Sequence, residues 1–258
     1  MGRPARPFLI GAGLKMYLGH SETVGWARAL RAVANEHPAL TSGSAELVVL
    51  PSFVSIDAVT RELAGSRIAV GGQDISDVRR GPFTGEVSAD DLVALGCSYV
   101  EIGHAERRAR HGETDEAVAA KVATALAAGL VPIVCVGERD DRGVAEAQDV
   151  CRRQVRRACA AAELRGDTHL AIAYEPIWAI GQPQPATPEH IMAVCAAIGD
   201  ELAVAAPHAS HTVIYGGSAR PGMLAELDDS VQGLFIGRSS HDVANVAAVL
   251  DEVAERAA

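Results

Sequence analysis

The chain has 258 residues, 48% of them apolar and 22% charged, with a formal net charge of −10 at neutral pH. That length suits one large α/β domain with a substantial core, and the acidic balance excludes a general nucleic-acid binder. The five cysteines, Cys97, Cys135, Cys151, Cys159 and Cys195, form no C-x-x-C pair and read as reduced cytoplasmic thiols rather than a disulfide framework or a zinc site.

The amino-terminal "MGRPARPFLIGAG" carries two arginines before an apolar run too short for a signal peptide, and no stretch is long enough to span a membrane. From there, short apolar runs recur along the chain: "PFLIGAG", "ELVVLP", "RIAVGGQ", "SYVEIGH", "VPIVCVGE", "LAIAYEP", "TVIYGG" and "GLFIGR". Their nearly continuous apolar character is that of strands buried on both faces. Helix-like runs lie between them. "ETDEAVAAKVATALAAG" has acids early and glycine last, and "HDVANVAAVLDEVAERAA" closes the chain. The basic run "RRQVRR", Arg152 to Arg157, falls in a helical pattern and reads as a solvated face. "HASH", with His208 and His211, reads as a surface loop.

Eight strands alternating with helices in this length are the arithmetic of a single (β/α)8 barrel over residues 1–258. A doubly wound open sheet competes. It is disfavoured because the spacing runs to eight without a composition break, and "GAGLKM" lacks the third glycine of a nucleotide fingerprint. In a barrel the carboxyl ends of the strands share one face, where active sites of this fold lie. The polar residues closing the runs are Lys15, Gln73, His104, Glu138, Glu175, Ser218 and Arg238.

Glu175 ends "LAIAY", where partial dehydration makes a carboxylate a stronger base toward carbon acids. Pro176 stiffens the start of the next loop, which suits a segment that moves as a unit. His104 alone reads as a structural histidine; beside Glu175 and Lys15 at one barrel mouth it reads as a proton-transfer or carbonyl-polarising group. The glycine-rich turns "YGGSAR" and "FIGRSS" free backbone amides after the last strands, where this fold often holds phosphate. Base, imidazole, cation and phosphate cradle, without metal-ligand spacing, point to proton abstraction beside the carbonyl of a small sugar phosphate.

The motifs "GPFTGEVS", "YVEIGHAERR", "GETDEAVAAK", "PIVCVGE", "AYEPIWAIG", "IYGGS" and "GLFIG" make the chain resemble triosephosphate isomerase along nearly its whole length. The resemblance implies a TIM barrel that uses no cofactor and no metal, and an aldose–ketose isomerase of glycolysis and gluconeogenesis. It implies Glu175 as catalytic base, His104 as neutral electrophile and Lys15 as the substrate-facing cation, with Glu106 near the lysine. Phosphate would be held by the amides of Gly181, Ser218 and Gly237. A lid would run from Pro176 to about Ala186, with Trp178 stiffening it. Glu138 would hold that lid open and Tyr215 would hold it closed. The partners implied are a phosphorylated sugar and a second copy of the chain, in a cytoplasmic homodimer joined through the loop Asp74 to Glu86. Thr84, near the tip of that loop, would approach Lys15 of the other copy. Nucleic acid and membrane are not expected partners.

Three departures from the family pattern stand out. Gly13 replaces an asparagine that touches substrate, which leaves more room and a looser backbone there. The second half of the lid reads "GQPQPAT", where Pro183 and Pro185 restrict the hinge. Arg238 replaces the second glycine of the last phosphate loop, as a direct donor to phosphate or to an extra hydroxyl, or as a solvent-facing side chain. Ala105 stands where a serine is usual, a milder change. The "IGRS" ending and the missing asparagine also resemble the branch that isomerises four-carbon tetrulose phosphates. A sugar-phosphate-binding protein with weakened catalysis is the remaining alternative.

Overall fold

Two apolar faces on each strand demand cover on both sides, and the chain supplies it by closing the sheet on itself inside a ring of helices. The computed structural model describes residues 6–182 and 185–257. Its strands are β1 (Phe8–Gly13), β2 (Ala45–Leu50), β3 (Ile68–Gly72), β4 (Tyr99–Ile102), β5 (Val131–Val136), β6 (His169–Tyr174), β7 (Ser210–Tyr215) and β8 (Gly233–Ile236). All pair in parallel in chain order, and β8 pairs back onto β1 with Leu9 opposite Gly233. The fold is the expected (β/α)8 barrel.

The period-two alternation of the strands sorts side chains into two layers. Leu9, Val48, Tyr99, Ile133, Ala171 and Phe235 belong to a cluster filling the barrel interior. Ile10, Leu47, Val100, Val134, Ile172 and Leu234 belong to the larger core between barrel and helices. Because the side chains alternate, Glu101 shares the inward face of β4 with Tyr99.

The helix foreseen over residues 113–129 runs Asp115–Ala128. Thr114 caps its start by accepting from the Ala117 amide, and Gly129 ends it in the left-handed region at φ 86°. The carboxy-terminal helix is Val243–Arg256, capped by Asp242. The basic run lies on helix Val144–Ala160, with Val155 buried. Arg156 is not merely solvated, since it makes a two-pronged ion pair with Glu201 at 2.9 and 2.8 Å. The reading of "HASH" as a loop is corrected. His208 is exposed, but His211 is the second residue of β7 and is half-buried, because the strand starts two residues earlier than its apolar run suggests. No helix among the described residues is long and apolar enough to cross a membrane.

Candidate active site

The carboxyl ends of the strands bring Lys15, His104, Glu138, Glu175 and Ser218 to one rim, as the strand endings foretold. Glu175 follows β6 directly and is 4% exposed, and His104, two residues past β4, is 6% exposed. Their groups face each other, with His104 Nε2 3.6 Å from Glu175 Oε2. That carboxylate oxygen is buried and has no hydrogen-bond partner among the described residues. A buried acceptor left open is costly, so the mouth holds a base with a lone pair kept free.

Two glycines make room for this carboxylate. An added Cβ at Gly216 would lie 2.9 Å from both Glu175 Cγ and Oε1, and one at Gly137 would lie 1.9 Å from the Glu175 carbonyl oxygen. The glycines after β5 and β7 therefore form a slot around the residue that follows β6.

His104 caps helix Ala105–His111, and its Nδ1 accepts from the Glu106 amide at 3.1 Å. Burial opposes protonation of this ring. The Glu175 and Glu101 carboxylates favour it more strongly and leave the pKa above the usual histidine value. The amide donated to Nδ1 occupies the lone pair that a second proton would need. The neutral ring with hydrogen on Nε2 is thus the tautomer this geometry accepts, and it aims a donor at the mouth.

Lys15 follows β1 in a left-handed backbone conformation, φ 50°, and Ser218 follows β7 at φ 61°. They are the only non-glycine residues with positive φ among the described residues, and such strain gathers at functional sites. The Lys15 ammonium bonds Glu106 at 2.9 Å. Burial lowers the lysine pKa, but the Glu106 hydrogen bond and surrounding carboxylates outweigh it, so the cation is held charged. Gln73, closing β3, braces this turn by donating to the Lys15 and Leu50 carbonyls at 3.0 and 2.9 Å.

The lid touches the barrel at several points. Trp178 Nε1 donates to Glu138 at 2.6 Å, while the Gly181 amide donates to Ser218 Oγ at 3.0 Å. The two contacts are made at once. The Tyr174 hydroxyl also donates to Glu138 at 3.1 Å and meets His190 Nε2 at 2.9 Å, which fixes the carboxylate beneath the lid. The Tyr215 hydroxyl is buried against the backbone of Ala186 at the far end of the lid, a hydrogen-bonding neighbour whose geometry is not ideal. Pro183 lies outside the described residues, while Ala186 at the end of the lid is buried. With the Gly181 amide engaged by the Ser218 hydroxyl, the amides of Ser218 and Gly237 are the other two expected members of the cradle. A Cβ added at Gly237 would lie 3.9 Å from Lys15 Cε, so this turn and the lysine share one side of the mouth.

Arg238 is exposed and turned to the β1 side, donating to the Tyr17 hydroxyl at 3.0 Å with its guanidinium 5.3 Å above the ring. It does not project among the buried groups. The room expected beside Gly13 is partly taken, since an added Cβ there would lie 3.3 Å from Phe235 Cζ. The larger aromatic ring of β8 packs over the missing side chain of β1.

One site residue escaped the sequence reading. Glu101 is 7% exposed and lies inside the barrel with His104 and Glu175, one ligand-type atom of each within 4.8 Å of the others. The signal was a single carboxylate at an inward position of an apolar strand, overlooked because the motif around it matched so well. This trio could hold a cation by its donor types. A cation would then take the lone pair of the base, so the arrangement is better suited to moving a proton than to binding a metal.

The chain matches the triosephosphate isomerase family model over residues 8–253. It is 44% identical over 251 residues to the L-erythrulose-1-phosphate isomerase of Pectobacterium atrosepticum, covering 96% of each chain. It is 40% identical over 255 residues to the triosephosphate isomerase of Leifsonia xyli subsp. xyli, covering 94% of this chain and 95% of that one. The triosephosphate isomerase of Alkalilimnicola ehrlichii is 44% identical over 211 residues, 76% of this chain and 81% of that one.

Proposed function

We propose that this chain, which belongs to the triosephosphate isomerase family, isomerises small sugar phosphates by carrying a proton between adjacent carbons with Glu175. The observation that carries this reading is the buried Glu175–His104 pair, 3.6 Å apart, with a carboxylate oxygen left unbonded.

The chemistry follows from the groups. The Glu175 carboxylate takes the proton from the carbon beside the carbonyl, leaving an enediolate. His104 Nε2–H donates to the oxygen on which charge develops, and the Lys15 ammonium adds a fixed positive field. The acid form of Glu175 then returns the proton to the neighbouring carbon. The hydroxyl proton passes between the two substrate oxygens through the ring. Every proton taken is given back, so no redox partner is required. Ser218 and Gly237, near Lys15, supply the phosphate end.

Triose phosphate is the smallest substrate this machinery accepts, and glyceraldehyde 3-phosphate and dihydroxyacetone phosphate are its first reading. On that reading the enzyme is cytoplasmic and serves glycolysis and gluconeogenesis; five buried free cysteines support a reducing compartment. A second reading is isomerisation of four-carbon ketose phosphates. The similarity to an L-erythrulose-1-phosphate isomerase over 96% of both chains favours it.

A homodimer is part of the proposal. Phe83 is 47%, Tyr17 53% and Met16 90% exposed, and Thr84 beside Phe83 is exposed as well. Large apolar side chains left wet in two loops support an interface there. Light scattering on the purified chain tests it, and a monomer of normal activity counts against it.

Coupled assays on glyceraldehyde 3-phosphate and on L-erythrulose 1-phosphate, with solvent-deuterium exchange into the ligand, test the reaction. Turnover of either substrate with exchange is expected. Neither turnover nor exchange overturns the reading.

A further inference from the structure

The upper half of β1 offers the barrel interior no side chain. Leu9, Gly11 and Gly13 share the inward face of this strand, and Phe235, paired with Gly11 across the β1–β8 seam, lays its ring along the two glycines. An added Cβ at Gly11 would lie 2.2 Å from Phe235 Cδ2, and one at Gly13 would lie 3.3 Å from Cζ. Neither glycine has a positive φ, so the backbone would accept alanine at both positions. It is the ring that keeps side chains off. Phe235 is buried and stands upright against β1, with its base beside Gly11 and its tip at Gly13, the last residue of the strand.

The other walls of the mouth are already occupied. Gly137 and Gly216, after β5 and β7, close on Glu175. The ends of β4 and β6 lead to His104 and Glu175 themselves, and Gln73 after β3 is tied to two backbone carbonyls. The wall made by β1 and β8 has no such duty. Lys15 stands two residues beyond Gly13, and its Cε would lie 3.9 Å from a Cβ added at Gly237. A phosphate drawn to this lysine and to the turns after β7 and β8 brings its carbon chain over the tip of the ring.

We propose that Phe235 is a specificity-determining residue, the apolar wall that limits the length of carbon chain the mouth admits, with Gly11 and Gly13 giving its ring the space it needs. This rests on the isomerase reading, since it concerns which sugar phosphate that machinery accepts. Gly13 stands where the family pattern has an asparagine, and any side chain there would start against the ring tip. The chain has therefore exchanged a polar side chain on β1 for an aromatic one from β8. A phenyl ring makes no directed hydrogen bond to a substrate hydroxyl, so this wall sorts by size. Against β1 the ring already fills the place of the missing Cβ atoms, so it has no room to retreat from a longer substrate.

The test compares kcat/KM on L-erythrulose 1-phosphate with kcat/KM on glyceraldehyde 3-phosphate, for the wild type, Phe235→Leu, Gly13→Ala and the double variant. Whichever substrate the wild type prefers, Phe235→Leu shortens the wall and is expected to raise the four-carbon to three-carbon ratio about 10-fold or more. Gly13→Ala presses the ring tip toward the mouth and is expected to lower that ratio. In the double variant the new methyl group fills part of the space the ring gave up, and the ratio returns toward the wild-type value. An unchanged ratio in Phe235→Leu overturns the proposal, whether activity falls on both substrates or on neither, because the ring would then only fill the barrel. A lowered ratio in Phe235→Leu overturns it too, since the ring would then favour the longer chain by contact. Thermal melts establish that each variant is folded; if Phe235→Leu is not, Gly13→Ala decides by its opposite shift. Calorimetric binding of both sugar phosphates keeps the two readings apart. A preference for the four-carbon ligand that rises in Phe235→Leu without turnover in any variant sinks the isomerase reading and keeps this one. Turnover with an unchanged ratio does the reverse.

Discussion

Two clusters of buried charge lie a short way apart in this barrel, and they are built in opposite ways. Beside β3, Asp74, Arg107, Glu113 and Lys121 form a web of ion pairs, although Glu113 Oε2 is left without a hydrogen-bond partner among the described residues. Lys121 donates to both Asp74 oxygens at 2.8 and 2.7 Å and to Glu113 at 2.5 Å, and Arg107 reaches Asp74 and Glu113 at 2.7 Å each. At the mouth, Glu101, His104 and Glu175 are as buried as Asp74 and Lys121, yet among the described residues no ammonium or guanidinium pairs with Glu101 or Glu175, and Glu101 accepts only from a thiol. Burial pushes Asp74 up to about 6 against the pull of Lys121, so even the paired cluster feels the loss of water. Burial alone therefore does not mark a working site. Carboxylates held by cations keep the loop after β3 in place, and carboxylates without a cation of their own await a substrate.

The sharpest way to break this comparison is to neutralise one member of each cluster. Glu175→Gln is expected to lower kcat by about 10³-fold or more with little change in melting temperature. Glu175→Asp, which retracts the base by one methylene, is expected to lose roughly 10²-fold in kcat at nearly constant KM. A loss confined to KM would place Glu175 outside the chemistry. In the paired cluster, Lys121→Met leaves two buried carboxylates short of a partner and is expected to cost about 3–5 kcal/mol of stability. Urea unfolding measures it, with the specific activity of the folded protein little changed.

The pH dependence of stability sharpens the contrast. The Glu101 pKa stands near 7 in the folded protein against an ordinary value of 4.5, so the folded state binds this proton more tightly than the unfolded one. Relative to Glu101→Gln, the wild type should be most stable below about pH 4.5 and lose on the order of 3 kcal/mol as pH rises through about 7. Parallel stability–pH curves for the two proteins would show that Glu101 is better solvated than its burial indicates. The smallest effect is expected at Arg238. Exposed and stacked on Tyr17, it should change kcat/KM by less than about threefold on either substrate when replaced by alanine. A selective loss on the four-carbon substrate would return it to the site.

Much of this was legible in the sequence because strand endings are local events. Apolar runs ending in lysine, histidine or glutamate located β1, β4 and β6 and the residues at their mouths. What escaped depends on contacts across the barrel. Phe235 fills the space over Gly11 and Gly13, from the far end of the chain. The Gly181 amide is taken by a serine 37 residues away. Glu101 looked like one letter in a familiar motif, and its meaning came only from which face of β4 it occupies. His211 was misplaced for a different reason: polar residues begin β7, so an apolar run underestimates the strand.

Gly137 and Gly216 carry a last consequence. Saturation mutagenesis at these two codons should return glycine alone among active clones at 137 and almost alone at 216, since any larger residue wedges the backbone or the carboxylate of Glu175 away from its target. The reach of the enzyme is thus set by two methyl groups that were never installed. Redesign for bulkier sugars has to proceed from the β1 and β4 walls and leave these flanks untouched.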